Sequence, residues 1–484
     1  MKKTVALGEV PHFYRETDVV VCGFGGAGAC AALEARQNGA DVIVLERFSD
    51  GGGSTELSAC EMYLGGSGGT SLQRELGFED SNENFRAYLL QCFGENHDPE
   101  RLTAYTEGAA EHFDWMEAQG VPYKRGFFGG RDVVAMTGDS LQYTGNERAW
   151  PFNLVCEPVP RGHLPADSDH NGGKVLMGVL KKRVRDAGAE VIVDARVGQL
   201  ITDGDGSVCG VGVKIDNEMR YIRARKGVVL TMGGFIMNER MTRRHIPRQE
   251  SFATRHGNPG DTGDGITMGV AAGGNAINMG EAFIGVAHYP PAELTYGIFV
   301  NQAGQRFVNE DVYLARMGEH VFRQHGRRAY LFIDNAHFSR PAYHDTTEIV
   351  AVGETIEEVE QEAGLPAGSL QRTVAYYNAH AERGEDPLFN KSADWLTPLS
   401  EAPFALVDFS LDKLHPTVFT LGGLETRSTG EVLTSDGDVI PGLYAAGRTA
   451  AGIPRTGEGY ASGMSVGDAT FFGRLAGRQA AMEG

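Results

Sequence analysis

Cysteine is scarce in this sequence and never closely spaced. The 484 residues hold six, Cys22, Cys30, Cys60, Cys92, Cys156 and Cys209, with no C-x-x-C pair. That excludes metal ribbons and thioredoxin-type motifs, and scattered single thiols fit a reducing compartment. Long apolar runs are missing too. No stretch approaches the roughly 18 uncharged apolar residues that a transmembrane helix needs. The opening lysines, Lys2 and Lys3, are not followed by the apolar run of a secretory signal. The expectation is a protein with no transmembrane segment, cytoplasmic by default. Positive charge is in short supply: 44 Lys and Arg stand against 64 Asp and Glu, a net charge of −20. Such a surface disfavours nucleic acid and anionic membranes as partners. Collagen-like periods, low-complexity runs and internal repeats are absent.

Glycine is what the chain has in excess, 66 residues of 484, about twice the usual 7 %. Spread through apolar segments, it points to backbone packed closely against a large ligand. Hydrophobic residues make up 41 % and charged residues 22 %. A large core is therefore within reach, divided over two or three domains at about 100–200 residues each.

Residues 18–46 read as one βαβ unit. Asp18–Cys22 is a β-branched run, as a buried parallel strand requires. Gly23-Phe-Gly25-Gly26-Ala27-Gly28 follows, then a helical stretch to Asn38 closed by Gly39, then the strand Val42–Leu45 ending at Glu46. A G-x-G-x-x-G alone is a weak signal, but between a strand and a helix, with an acidic residue after the second strand, it predicts dinucleotide binding. Gly23 permits the tight turn, Gly25 lets backbone approach a pyrophosphate, and Gly28 lets helix and strand pack. The helix N-terminus faces the phosphates, and Glu46 accepts from ribose hydroxyls. The glycine- and hydroxyl-rich loop Asp50–Gly53, Ser54, Thr55 favours FAD over NAD, because a flavin's ribityl chain runs further across the sheet.

Downstream, Gly173–Ala187 has helical periodicity and leads into a strand at Glu190–Asp194. Val197–Thr202, Cys209–Ile215, Arg220–Ala224 and Gly227–Thr231 read as four further strands. Gly233-Gly234-Phe235 follows, and Gly260–Gly265 opens an Ala/Gly-rich helix. Gly442–Gly447 near the C-terminus is one more strand and turn. Between about Phe283 and Ala402 aromatics and charges rise, which reads as an inserted domain. The predicted fold class is α/β: a Rossmann-like, split FAD-binding domain (1–282 and 403–484) with a smaller catalytic or cap domain (283–402).

This set of motifs, with Arg306–Asp311 (RFVNED) and Leu421–Gly423, resembles the flavoprotein superfamily of fumarate reductase flavin subunits and 3-ketosteroid dehydrogenases. The resemblance covers nearly the whole chain. It implies that FAD is held by Gly23, Gly25, Gly26, Ala27, Gly28, Glu46, Arg47, Gly53, Ser54 and Thr55. Val197, Gly233, Gly234, Asp264, Gly447 and Ser465 complete that set. Covalent attachment in this superfamily uses a histidine after the second strand. Residues 47–60 contain none, so FAD is expected to be non-covalent. No metal is implied.

The fumarate-type branch places a carboxylate-binding arginine in the C-terminal glycine-rich turn. Here that turn reads Tyr460-Ala461-Ser462-Gly463-Met464, and Arg455 comes too early. The turn resembles that of the 3-ketosteroid Δ4-(5α)-dehydrogenase family instead, with its Tyr-x-Ser-Gly and a tyrosine just after RFxNED, here Tyr313. Δ1-dehydrogenases have a proline-containing turn at this point, and Tyr460–Met464 has no proline.

The resemblance implies three catalytic residues. Tyr460 stabilises the developing oxyanion of a 3-ketone, with a backbone N–H at Gly463 or Met464 contacting the substrate. Ser462 removes the C4 proton, and Tyr313 passes it on. The helix from Gly463 onward would point at the flavin. The implied partners are an apolar, steroid-like small molecule and an external electron acceptor. Alternatives from the same residues are an ene-reductase of the fumarate or urocanate reductase kind, a Δ1-dehydrogenase, or a flavin-binding protein without turnover. His415 and Glu310–Asp311 read as structural, and Glu458 is given no role.

Overall fold

The computed structural model describes residues 3–134, 137–166, 170–343 and 347–482. Met1 and Lys2 of the opening stretch lie outside them. The glycine motif sits where the βαβ pattern places it. The strand Arg15–Cys22 turns at Gly23, with φ +105°, into the helix Gly26–Gln37, which returns to the strand Val42–Leu45. Gly23 is needed there, because a Cβ in that left-handed region would strike the Thr231 carbonyl.

These strands anchor a nine-stranded sheet. Part of it is parallel, from Glu190–Ile192 at the edge through Val42–Leu45 and Arg15–Cys22 to the end of Glu218–Leu230 and then Val439–Ala445. The two strands expected at Arg220–Ala224 and Gly227–Thr231 are one continuous strand, Glu218–Leu230. Its register slips between Ala224 and Gly227. The first half pairs with the antiparallel strand Val208–Ile215 and the second half with Val439–Ala445. One strand thus carries the sheet from its exposed meander to its buried centre, which a reading of local turn residues does not reveal.

The helix expected from Gly463 onward spans Met464–Met482 and crosses the helix Gly26–Gln37. The crossing is close because Gly473 and Gly477 face Ala27 and Ala31, whose carbonyls a Cβ would strike.

The cap is built on an antiparallel sheet in the order Ile298–Val300, Tyr330–Ile333, Phe404–Asp408, Ile349–Gly353. Helices Ile356–Glu362 and Ser369–Ala381 cover one face, burying Ile298, Phe332, Leu370, Val374 and Leu406 together. A three-stranded sheet of Thr254–Arg255, Thr417–Thr420 and Ala282–Gly285 lies between this layer and the cofactor unit.

The stretch 57–171 carries no cofactor motif, yet its described residues form three α-helices and a small sheet. Pro99–Gln119 begins at Asp98, whose carboxylate accepts from the N–H groups of Glu100 and Arg101 at 3.1 Å, and ends at Gly120. Strands Met62–Tyr63, Gly162–His163 and Leu141–Gln142 pair beside it. This unit presses on the C-terminal turn and holds the site. Among the described residues, no helix is long and apolar enough to cross a membrane.

Candidate active site

A single cleft of about 850 Å³ runs from the glycine motif to the C-terminal turn. At one end lie Gly23, Gly25, Gly26, Ala27 and Glu46; at the other, Tyr313, Tyr460, Ser462 and Gly463. Its size suits a large ligand together with a second, smaller one.

The nucleotide end has the features of a pyrophosphate cradle. Gly25 caps the helix Gly26–Gln37, so the first amides of that helix have no intrahelical acceptor. Gly26 N–H meets Thr55 Oγ1 at 3.2 Å, tying the second glycine-rich loop to the first. Both oxygens of the buried Glu46 accept from backbone, Phe24 N–H at 2.8 Å and Phe48 N–H at 2.9 Å. Each oxygen keeps a lone pair for a ribose hydroxyl. Ser54 Oγ donates to Asp261 at 2.7 Å, and Arg448 pairs with the same carboxylate at 2.5 Å. Asp264 receives Lys3 Nζ at 2.7 Å and Thr262 Oγ1 at 3.0 Å, and these partners hold its carboxyl below the usual range against the effect of burial.

At the other end each candidate side chain is positioned by a distant element. Tyr313 stands at the N-cap of the helix Leu314–Arg323, and its N–H donates to Asn146 Oδ1 at 2.8 Å. Thr144 clamps Ser462 twice: Ser462 N–H donates to Thr144 O at 3.1 Å, and Thr144 Oγ1 donates to Ser462 O at 3.2 Å. Tyr460 Oη accepts from Ser465 N–H, in the first turn of the C-terminal helix, at 3.2 Å. The phenol hydrogen is therefore left to donate into the cleft. Burial pushes the Tyr460 phenol up, and Ser465 draws it partly back. Burial raises Tyr313 far more, offset in part by the neighbouring Ser462 hydroxyl.

The wall beside these groups is apolar. Phe283 and Phe419 stack at 4.5 Å, with the Tyr460 ring edge-on to both at 5.0 and 5.6 Å. Ala287 and Leu314 continue it. Arg455 is directed elsewhere: its guanidinium pairs with Asp98 at 3.2 Å and does not line the cleft.

A family model for the FAD binding domain matches residues 18–463. The chain belongs to this FAD-binding family. Among solved structures it is similar to the 3-ketosteroid-Δ4-(5α)-dehydrogenase of Rhodococcus jostii RHA1 in complex with 4-androstene-3,17-dione. Identity is 39 % and the TM-score 0.93, with 99 % of this chain and 100 % of that one covered. It is 30 % identical over 495 residues to the 3-oxo-5-alpha-steroid 4-dehydrogenase of Comamonas testosteroni, covering 89 % of this chain and 92 % of that protein. It is 28 % identical over 478 residues to the NADH:fumarate oxidoreductase of Klebsiella pneumoniae (strain 342), and spans 47 % of that longer protein. The superfamily resemblance read from the motifs is borne out, as is the α/β FAD fold with its cap.

The cleft fits FAD: at Gly25, which lines it, a Cβ would meet only Gly52 O at 3.7 Å and Gly53 Cα at 3.8 Å, so bare backbone faces the space at the phosphate turn. Of the residues expected to hold FAD, Gly23, Gly25, Gly26, Ala27, Glu46, Arg47, Gly53, Ser54, Thr55, Val197, Gly233, Asp264, Gly447 and Ser465 line the cleft. Two do not. Gly28 packs against Gly23 and Thr231 inside the fold, the packing role its position in the motif predicts. Gly234 packs against Thr420 and Arg448. Met464, expected beside Gly463 as a substrate contact, also stays out of the cleft. Its N–H is spent on Ala461 O at 3.2 Å, and its Sδ accepts from Ala461 N–H at 3.3 Å. A helix-start residue spends its amide on the turn that precedes it. Gly463 N–H, by contrast, has no acceptor among the described residues.

Several residues of the site carry no local motif. Phe283 and Phe419 build the wall, His256 and His415 line the cleft, and Glu61 faces Ser462. Each stands in a segment without a signature.

Proposed function

We propose that the chain is an FAD-dependent dehydrogenase of 3-keto-5α-steroids that introduces a C4–C5 double bond. The observation that carries this reading is the meeting of Tyr313, Tyr460 and Ser462 beside a flat aromatic wall at one end of the FAD cleft. The similarity to two steroid dehydrogenases of this specificity supports it. The substrate is an apolar, steroid-like molecule, and an external electron acceptor closes the cycle. FAD is held non-covalently, since residues 47–60 offer no histidine. The cap is the 283–402 insert lengthened to Asp408, whose strand completes the cap sheet. The six free thiols fit a cytoplasmic setting.

The chemistry follows from the ketone. A C4 proton is acidic only when charge on the C3 oxygen is stabilised as it develops. Tyr460 Oη donates to that oxygen, and Gly463 N–H is the second donor; preorganised donors of this kind are worth about 3–4 kcal/mol each. Ser462 Oγ takes the C4 proton, with the Tyr313 phenol beside it. The aromatic wall excludes water from the oxyanion and so strengthens both hydrogen bonds. FAD, when bound, supplies the acceptor for the C5 hydride.

The test is anaerobic mixing of the oxidised protein with a saturated 3-keto-5α-steroid, its 5β epimer and succinate. Bleaching by the 5α ketone alone, with a 4-ene-3-one product, is expected. No bleaching by any steroid, with rapid reoxidation of chemically reduced protein by an unsaturated acid, would move the chain to the ene-reductase branch.

A further inference from the structure

A serine hydroxyl cannot hold a proton as a cation at neutral pH. It works as a base only if its own proton leaves as the new one arrives. Resting on the steroid reading above, we propose that Glu61 is the terminal acceptor of that proton, acting through Ser462 as its positioning residue.

Four observations converge on Glu61. It lies just before the strand Met62–Tyr63, is only 3 % exposed, and lines the cleft at the Ser462 end. Its Oε1 is held by Gln142 Nε2 at 2.7 Å, which fixes the carboxyl plane. Its Oε2 is buried with no strong hydrogen bond of its own, and the Ser462 hydroxyl is a donor that reaches this carboxyl and partly offsets the effect of burial; a buried carboxyl oxygen so weakly paired is costly unless it serves something. Gly162 opposite it leaves the carboxyl its room, since a Cβ there would strike Oε1.

The surroundings set its acidity. Burial pushes the Glu61 carboxyl up to about 8, with the Glu147 charge adding to this and the Ser462 hydroxyl and Gln142 partly offsetting it. The phenols of Tyr289, Tyr313 and Tyr460 face the same carboxyl. Tyr313, raised well above the ordinary phenol range by its own burial, stays protonated at neutral pH, so it can relay a proton but has no vacant site to keep one.

The step balances within the chain and substrate. The C4–H bond breaks, and its electron pair forms the C3–C4 π bond as the ketone becomes an oxyanion. The C4 proton bonds to Ser462 Oγ while the original Ser462 O–H bond breaks and that proton bonds to Glu61 Oε2. Ser462 stays neutral throughout, and the hydride half of the reaction is as in the reading above.

The experiment uses the holoenzyme, wild type and the variants Glu61→Gln and Glu61→Asp, with a saturated 3-keto-5α-steroid and a dye acceptor across about pH 6 to 10. Affinity for the 4-ene-3-one product is read from its perturbation of the flavin spectrum. In the wild type kcat/KM should rise with pH through about 8, as Glu61 ionises. Glu61→Gln should lose that limb and about 10²–10³-fold in kcat while binding product as wild type does, and Glu61→Asp should regain part of the rate. A wild-type profile with no limb there overturns the proposal without any variant. So does a Glu61→Gln protein that keeps both rate and limb. Wild type that turns over no steroid at all would instead overturn the underlying reading, and this proposal with it.

Discussion

In the proposed reaction Ser462 and Tyr460, two residues apart, take opposite roles, and their neighbours decide which takes which. Tyr460 accepts an amide hydrogen from Ser465 at 3.2 Å, so its own hydrogen is free for an oxyanion. Ser462 is fixed by Thr144 through its backbone, so its hydroxyl alone is left to turn. Tyr460→Phe keeps the ring against Phe283 and Phe419 and removes only the donor. It should lower kcat by about 10²–10³, the usual cost of an oxyanion donor, with FAD content unchanged. Steady-state turnover beside the flavin absorbance of the purified variant checks this, and turnover near wild type would reassign the oxyanion to Gly463 N–H alone. Tyr460 and Ser462 were legible as a pair because a glycine-rich turn concentrates its chemistry in a few adjacent residues. Glu61 was not. Nothing around Cys60-Glu61-Met62 marks it, and its meaning comes from Gln142 and Ser462, which the fold brings from elsewhere.

At the scale of elements, two helices deliver the cleft. Gly26–Gln37 points its N-terminus at the phosphate end, and Met464–Met482 points its own at the reactive end. They cross where Gly473 and Gly477 admit Ala27 and Ala31. Gly477→Ala pushes a methyl into the Ala31 carbonyl and should cost about 1–3 kcal/mol, with FAD released at a lower temperature because both helix starts shift. Gly178, exposed within the helix Gly172–Asp186 with open space where a Cβ would sit, is the contrast. Gly178→Ala should stabilise by about 0.5–1 kcal/mol. Thermal unfolding of the two holo-variants, followed by flavin fluorescence, distinguishes them, and equal shifts in Tm would refute the crossing argument. Helix Gly26–Gln37 was predictable from composition and caps. The union of two expected strands into Glu218–Leu230 was not, since a strand's continuity through a slip in register depends on partners on both of its edges.

For the whole molecule, buried carboxyls set a pH dependence of stability. Glu61 is raised to about 8 and Glu319 to about 7, both mainly by burial, from the ordinary 4.5. A carboxyl raised in the fold binds more protons folded than unfolded, so its contribution is full at low pH and is lost as pH rises from about 4.5 to about 8. Glu458 has the opposite sign. Its contacts with His320, Arg316 and Arg323 hold it down at about 2, so it stabilises above 4.5 and that support is lost as pH falls toward about 2. The buried histidines His112, His163 and His288, held below the ordinary imidazole range mainly by burial, also lose their support as pH falls below about 6.5, so stability is expected to fall away on both sides of a near-neutral maximum. Glu61→Gln should match wild type in Tm near pH 4.5 and exceed it progressively toward pH 8, even as it loses turnover. Parallel Tm curves for the two proteins would show that Glu61 ionises freely in the fold. By itself the sequence determined the cofactor class, the βαβ core and the Tyr-x-Ser-Gly turn, because strands, glycine turns and helix caps are short-range objects written in consecutive residues. Only the tertiary structure decided the aromatic wall, the withdrawal of Met464 and Arg455 from the cleft, and the burial of the Glu61 carboxyl beside Ser462. Those depend on which distant backbone atoms take up each donor and on how deeply each charge is buried, and no local pattern of residues encodes either.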